Sequence, residues 1–239
     1  MSRRRWFADE VSGDRAALVK EHADHLIRVL RARVGEEFDI ATGRSVRRGR
    51  ITSVKQDHVE FDLGAEIPTA HLIEITLLLT IFKFDRMEWA IEKCTELGVS
   101  RIIPIISRRT DSHLATASAK RVERWRRIAR QASEQSRRTA PPQILPPIKL
   151  ADALTEVAAL RIVLAEAEDQ TLLREVLKVT ASASEIILAV GPEGGWTEAE
   201  LRSFQQAGWI SASLGTTILR AETAAIAATA VVASSLCSL

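Results

Sequence analysis

The spacing of apolar residues gives this chain two textures. From Val34 to Leu63, VGEEFDIATGRSVRRGRITSVKQDHVEFDL alternates polar and apolar residues in short runs broken by Gly35, Gly43 and Gly49. That pattern predicts small antiparallel strands joined by tight turns. Just before it, HADHLIRVLRAR sets Leu26, Val29 and Leu30 at helical spacing, with Arg28, Arg31 and Arg33 beside them. Residues 1–70 therefore read as a small β-rich domain with one helix, and AEIPTAH at 65–71 as a linker.

Beyond it, strand-like runs alternate with longer helical patterns through residues 73–239. EITLLLTIF reads as a buried strand, FDRMEWAIEKCTELGV as an amphipathic helix stopping at Gly98, and RIIPIISRR as a second strand. A basic helix follows, ASAKRVERWRRIARQASEQSRR, and then PPQILPP, which cannot be helical. LRIVLAEA, EIILAV and WISASLG are three further strands, each ahead of a helical pattern. Strand and helix in alternation imply an α/β fold with a mainly parallel sheet covered on both faces.

The chain has 239 residues, 46% of them hydrophobic, enough for a proper core. Its net charge of +2 is uninformative, but the distribution is not. Residues 100–140 carry 11 basic and 3 acidic side chains, and residues 141–215 carry 5 and 10. The excess at 100–140, together with Arg3, Arg4, Arg5, Arg28, Arg31, Arg47 and Arg48, suits the backbone of a nucleic acid. Arg126, Arg127, Arg137 and Arg138 are the candidates within the basic helix. For any one of them a solvated helix face is the plainer alternative.

Cys94 and Cys237 lie far apart without CxxC spacing, so neither a zinc site nor a disulfide framework is expected, and a reduced, cytoplasmic setting fits. His22 and His25 lack partners at ligand spacing, and no metal is expected. The basic start MSRRRWFADEV has no apolar stretch behind it, and no run is long enough to span a membrane.

The candidate chemistry sits in EIILAVGPEGGWTEAEL, residues 185–201, where a strand breaks into Gly191-Pro192-Glu193-Gly194-Gly195 before a helix. Thr197 and Glu200 have the spacing of a capping box, which fixes where that helix begins. Loops at the carboxyl ends of parallel strands are where such sheets bind ligands. A turn needing positive φ is the alternative. The loop lacks both the GxGxxG order and Gly-Lys-Ser/Thr, and Glu193 would repel a phosphate, so a neutral or cationic ligand suits it better. The second candidate is SLGTTILRAETAAIAATAVVASSL, in which a strand end at Leu214-Gly215 leads through Arg220 and Glu222 into an Ala-rich helix. An Arg/Glu ion pair at the mouth of a buried helix is the alternative there. Two loops at strand ends in one sheet point to a shared pocket.

GPEGGWTEAEL together with LGTTILRAETA resembles the paired signature of the RsmE family, the 16S ribosomal RNA uridine N3-methyltransferases of the SPOUT class. HLIRVLRARVGEEF, EKCTELGVSRIIP and RWRRIARQASEQSRR match the family pattern in order, so the likeness runs through nearly the whole chain. It departs at Thr217, where the family usually has Arg. The resemblance implies an amino-terminal PUA-like barrel and a carboxyl-terminal SPOUT domain closed by a trefoil knot. It also implies S-adenosylmethionine as cofactor, 16S rRNA or the small ribosomal subunit as partner, and a homodimer with the Ala-rich helix as its seam. Carried onto this sequence, the cofactor would be lined by Leu164 and Glu166, by Gly191, Glu193, Gly194 and Gly195, and by Leu214, Gly215, Ile218, Leu219 and Arg220. Arg220 would stabilise a uracil carbonyl or anion, with Glu222 its orienting partner or a proton acceptor. A ribose 2′-O-methyltransferase with the same cofactor loops, or a non-catalytic RNA-binding protein, are the alternatives.

Overall fold

The computed structural model describes residues 5–43, 45–68, 73–136, 138–168, 170–180 and 183–236. Arg3, Arg4, Arg137, Cys237 and the 69–71 part of the expected linker lie outside the described residues. The chain divides into two compact units, residues 1–71 with 133–140, and residues 72–132 with 141–239.

The first unit contains β1 (Arg5–Phe7), β2 (Glu10–Ser12), β3 (Arg15–Val19), α1 (Glu21–Asp24), β4 (Glu37–Ala41), β5 (Val46–Lys55) and β6 (His58–Ile67). They form one six-stranded sheet in the order β1-β4-β5-β6-β3-β2, antiparallel except for the β1–β4 pair. Alternation in β5 and β6 turns Ile51, Val59, Phe61 and Leu63 toward a core shared with Trp6, Leu18, Leu26 and Ile40. Trp6 and Phe7 are thus buried core residues. At Gly49 any side chain would collide with Ile40, its Cβ falling 2.3 Å from Cγ1, so glycine is obligatory beside the register shift in β5.

Two expectations change here. Ala65, Glu66 and Ile67 continue β6, pairing back toward Val46 and Arg47, where a linker was expected. The helix expected across HADHLIRVLRAR is α1 followed by a π-helical turn, His25–Val29, and it stops before Arg31, whose φ is 52°.

The second unit is an α/β fold. It contains β7 (Glu74–Thr80), α2 (Phe84–Glu96), β8 (Arg101–Ile106), α3 (Ser112–Ser118), α4 (Val122–Gln135) up to residue 132, β9 (Gln143–Ile144), β10 (Ile148–Lys149) and α5 (Leu150–Ala153). It continues with β11 (Leu160–Leu164), α6 (Leu173–Val179), β12 (Glu185–Val190), α7 (Glu198–Gln206), β13 (Ile210–Ala212) and α8 (Ala221–Leu236). The sheet is parallel throughout, in the order β10-β8-β7-β12-β11-β13, with β9 also on β8. Both faces of each central strand are apolar. Leu77, Leu79, Ile162, Leu188 and Val190 pack with residues of α2, α4, α6 and α8, while Leu78, Val163, Ile187 and Ala189 pack with residues of α5 and α7. That is why these strands read as continuous apolar runs.

The basic segment is α3, a 3₁₀ turn at Ala119–Arg121 and α4, rather than one helix. α2 ends where Gly98 takes a φ of 106°. α8 meets α2 through small residues: Ala225, Ala228 and Thr229 are fully buried, and Thr229 Oγ1 lies 3.6 Å from Cys94 Sγ. Among the described residues no helix is long and apolar enough to cross a membrane.

Candidate active site

β12, β11 and β13 are neighbours in the sheet, so their carboxyl ends stand side by side. The loops leaving them enclose a half-open cavity of about 220 Å³ within the second unit. Leu164, Glu166, Gly191, Glu193, Gly194, Gly195, Leu214, Gly215, Ile218 and Leu219 all line it. Arg220 does not; it is exposed and outside the lining. Thr217, the point of departure from the RsmE pattern, is an exposed lining residue.

The glycines answer to different neighbours. A Cβ on Gly191 would sit 3.1 Å from Trp196 Nε1, so here the approaching group is this chain's own indole. That indole donates from Nε1 to Leu164 O at 3.0 Å and stacks edge-on against Phe204, pinning the glycine loop to the end of β11. Gly195 closes a turn, its N–H donating to Pro192 O at 2.8 Å, with φ at 69°. Gly215 has φ 135° and open space around its missing Cβ, so backbone conformation alone requires it. Ser213 holds that turn, its Oγ accepting from Gly215 N at 3.1 Å.

Two arginines missing from the sequence-based candidates shape the site. Arg109, in the loop after β8, lines the cavity, and its Nη1 donates to Gly194 O. The loop is anchored by the buried Glu200, which accepts from Arg108 N at 2.8 Å and from Thr197 N at 2.9 Å, so the capping box of α7 also fixes Arg109's neighbourhood. Arg86, in the first turn of α2, donates from Nη1 to Glu193 Oε1 at 2.8 Å and lies 3.7 Å from Glu222 Oε1. Glu222 is 4% exposed, is absent from the lining, and has no hydrogen-bond partner at Oε2. The ion pair considered between Arg220 and Glu222 is replaced by one between Arg86 and Glu222. Sequence gave no local signal for either arginine, since each acts across more than 80 residues of chain.

The basic candidates separate by what holds them. Arg28 pairs with Asp24 at 3.1 Å, and Arg31 is exposed at its positive φ. Arg5 opens β1 half-buried. Arg47 bonds Asp14, Gly64 O and Leu63 O, which makes it a brace of the sheet, and Arg48 lies 3.7 Å from Asp39. Arg126 donates twice to Ile144 O, whereas Arg127 is exposed. Arg138 is half-buried, and burial pulls its guanidinium down to about 10.

Comparison with known proteins agrees with this architecture. A family model described as RNA methyltransferase domain matches residues 69–233. The ribosomal RNA small subunit methyltransferase E of Synechocystis sp. is 31% identical over 204 residues, which span 84% of this chain and 66% of that relative. The protein of the same name from Mesomycoplasma hyopneumoniae is 32% identical over 211 residues, 80% of this chain and 92% of that one. Among solved structures, the ribosomal RNA small subunit methyltransferase E of Neisseria gonorrhoeae bound to S-adenosyl methionine superposes with a TM-score of 0.83 at 32% identity, covering 96% of each chain. The chain belongs to the ribosomal RNA small subunit methyltransferase E family of RNA methyltransferases.

Proposed function

We propose that this chain is an S-adenosylmethionine-dependent methyltransferase acting on N3 of a uridine in 16S ribosomal RNA. The observation that carries the reading is the convergence of three adjacent strand ends on one glycine-lined cavity, in a chain 32% identical to a relative with S-adenosyl methionine bound.

The residues present fit that cofactor. Gly194, Gly195 and Gly215 put no side chain between the cavity and its loops, so an adenosine can come close to the backbone there. The lining carries Glu166 and Glu193, which favour a cation and disfavour a phosphate. S-adenosylmethionine supplies an electrophilic methyl group on a sulfonium. The chain's part is to hold the acceptor in line and to ease loss of the N3 proton. Arg220 is exposed, next in sequence to the lining residues Leu219 and Ala221; in this reading its role is to offset charge on the uracil carbonyl oxygens as N3–H breaks. The proton leaves to water through the open mouth. Glu222, buried off the lining, acts as a positioning residue at the start of α8, and this burial argues against its being the proton acceptor.

The same reading takes residues 1–70 as a PUA-like RNA-binding domain and residues 73–239 as a SPOUT methyltransferase domain with a trefoil knot. The mixed sheet of the first unit and the return of β13 beside β11 support it. It takes the working form as a cytoplasmic homodimer seamed on α8, whose Ile226, Ala230 and Val231 are only half-buried.

Calorimetric titration with S-adenosylmethionine tests the cofactor. Saturable binding, with S-adenosylhomocysteine competing, is expected; no binding would leave the non-catalytic RNA-binding reading in its place.

A further inference from the structure

Among the described residues two non-glycine residues take a positive φ, Lys20 at 51° and Arg31 at 52°. Left-handed backbone is unfavourable for a residue with a Cβ, and a helix that ends this way usually places glycine there. Arg31 is held in that conformation from both sides. Leu30, at the end of the π-helical turn His25–Val29, donates from N to His25 O at 3.3 Å, and Ala32 N reaches back to Leu26 O at 3.2 Å. Leu26 and Ala32 both belong to the buried core of the first unit, so the core fixes the chain around Arg31. The side chain contributes nothing to the fold in exchange. Arg31 is exposed, and among the described residues its guanidinium has neither an ion pair nor a hydrogen bond. The nearest carboxylate along the chain, Glu36, accepts from Arg33 N at 3.3 Å, and Asp24 is taken by Arg28. Val29 and Val34, 63% and 64% exposed, are apolar surface left uncovered on the same stretch. Lys20 differs in its surroundings, since exposed Glu21 follows it and its own N–H donates to the backbone of exposed Asp57.

An unpaired guanidinium with bare apolar surface beside it in the chain complements a phosphate whose neighbouring sugar and base are unstacked. We propose that Arg31, with Val29 and Val34, is a contact point on the first unit for an unpaired stretch of ribosomal RNA, Arg31 taking a phosphate and the valines the sugar and base next to it. The proposal rests on the rRNA reading above and adds where the RNA touches and why a strained residue stands there. Arginine presents a fork of donors to a phosphate, which glycine cannot, so the position keeps a residue that its backbone disfavours. Glycine at 31 would relieve the backbone and lose the contact. Alanine would keep the strain and lose the contact as well.

Those two variants separate strain from contact. Each is made in the full chain, melted, and titrated with 16S rRNA at several salt concentrations. Arg31→Gly is expected to melt about 1–3 °C above the unsubstituted chain, and Arg31→Ala to melt with it. Both should bind rRNA about 5-fold more weakly or worse, with the salt slope smaller by about 1, and Arg31→Lys should restore the slope. Val34→Ser should weaken rRNA binding with the slope intact and leave the binding of heparin, a polyanion without bases, as it was. Lys20→Gly should raise the melting temperature with rRNA binding unchanged. A glycine variant at 31 that is no more stable, or that is more stable yet binds rRNA like the unsubstituted chain, would overturn the proposal. So would an equal loss of rRNA binding in Lys20→Gly, which would reduce the effect to net charge, or a loss in Val34→Ser that heparin shares. If the unsubstituted chain binds no rRNA at all, the functional reading itself falls.

Discussion

Arg86 Nη1 lies 2.8 Å from Glu193 Oε1, joining the first turn of α2 to the loop that follows β12. The same guanidinium is 3.7 Å from the buried Glu222, at the start of α8. One side chain thus holds two of the segments between which the proposed chemistry takes place. Exposed ion pairs contribute little, but removing a cation from beside a buried carboxylate costs more. Arg86→Met is expected to destabilise the fold by about 2 kcal/mol, read from urea denaturation. Adding Glu222→Gln should recover most of that loss, and an additive loss in the double variant would show that the two residues do not act together.

The crowding at Gly191 gives a second prediction. Gly191→Ala pushes against the Trp196 indole and weakens its bond to Leu164 O. Destabilisation of about 1–3 kcal/mol is expected, with weaker cofactor binding. Gly215→Ala meets no neighbour and acts through its φ of 135° alone, so its cost should fall on the loop rather than on the packing around Trp196. Tryptophan fluorescence separates the two: only the Gly191 variant should shift the emission.

Cys94 offers a pH test. Burial pushes its thiol up to about 12 from an ordinary value of 9.0. The unfolded chain therefore ionises first, so the thiol's contribution to stability is complete below pH 9 and is lost as pH rises toward 12. The fall in stability across that window should be shallower in Cys94→Ala than in the unsubstituted chain. The native thiol should also resist a thiol reagent at pH 8 until the protein unfolds.

Basic residues that look alike in sequence should behave differently. Arg127→Ala and Arg31→Ala remove exposed charges and should each lower the salt slope of rRNA binding by about 1, with stability unchanged. Arg47→Ala breaks three bonds to Asp14, Leu63 O and Gly64 O. It should lower the melting temperature whether or not RNA affinity changes.

Patterns that depend on neighbouring residues were readable before the structure. The apolar runs of β7, β11 and β12 announced a sheet covered on both faces, and Thr197 with Glu200 placed the start of α7. The glycine loops marked the cavity because a parallel sheet has its ligands at strand ends. Relations between distant segments were not readable. Arg86 and Arg109 reach Glu193 and Gly194 across 107 and 85 residues, and no local pattern marks either one. Gly191 was legible as a site of close approach, but the group that approaches is Trp196, five residues on. The sequence neighbours Arg220 and Glu222 suggested a pair, yet the fold buries one beside α2 and leaves the other exposed.

The acceptor atom is the centre of the account. Small ribosomal subunits from a strain lacking the modification would be incubated with the protein and methyl-labelled S-adenosylmethionine, then digested to nucleosides and resolved by chromatography. Label in 3-methyluridine is the expected result, abolished or strongly reduced by Arg220→Ala. Label in a 2′-O-methyl nucleoside would keep the fold and the cavity but contradict the proposed reaction, and no label despite tight rRNA binding would contradict the enzyme altogether.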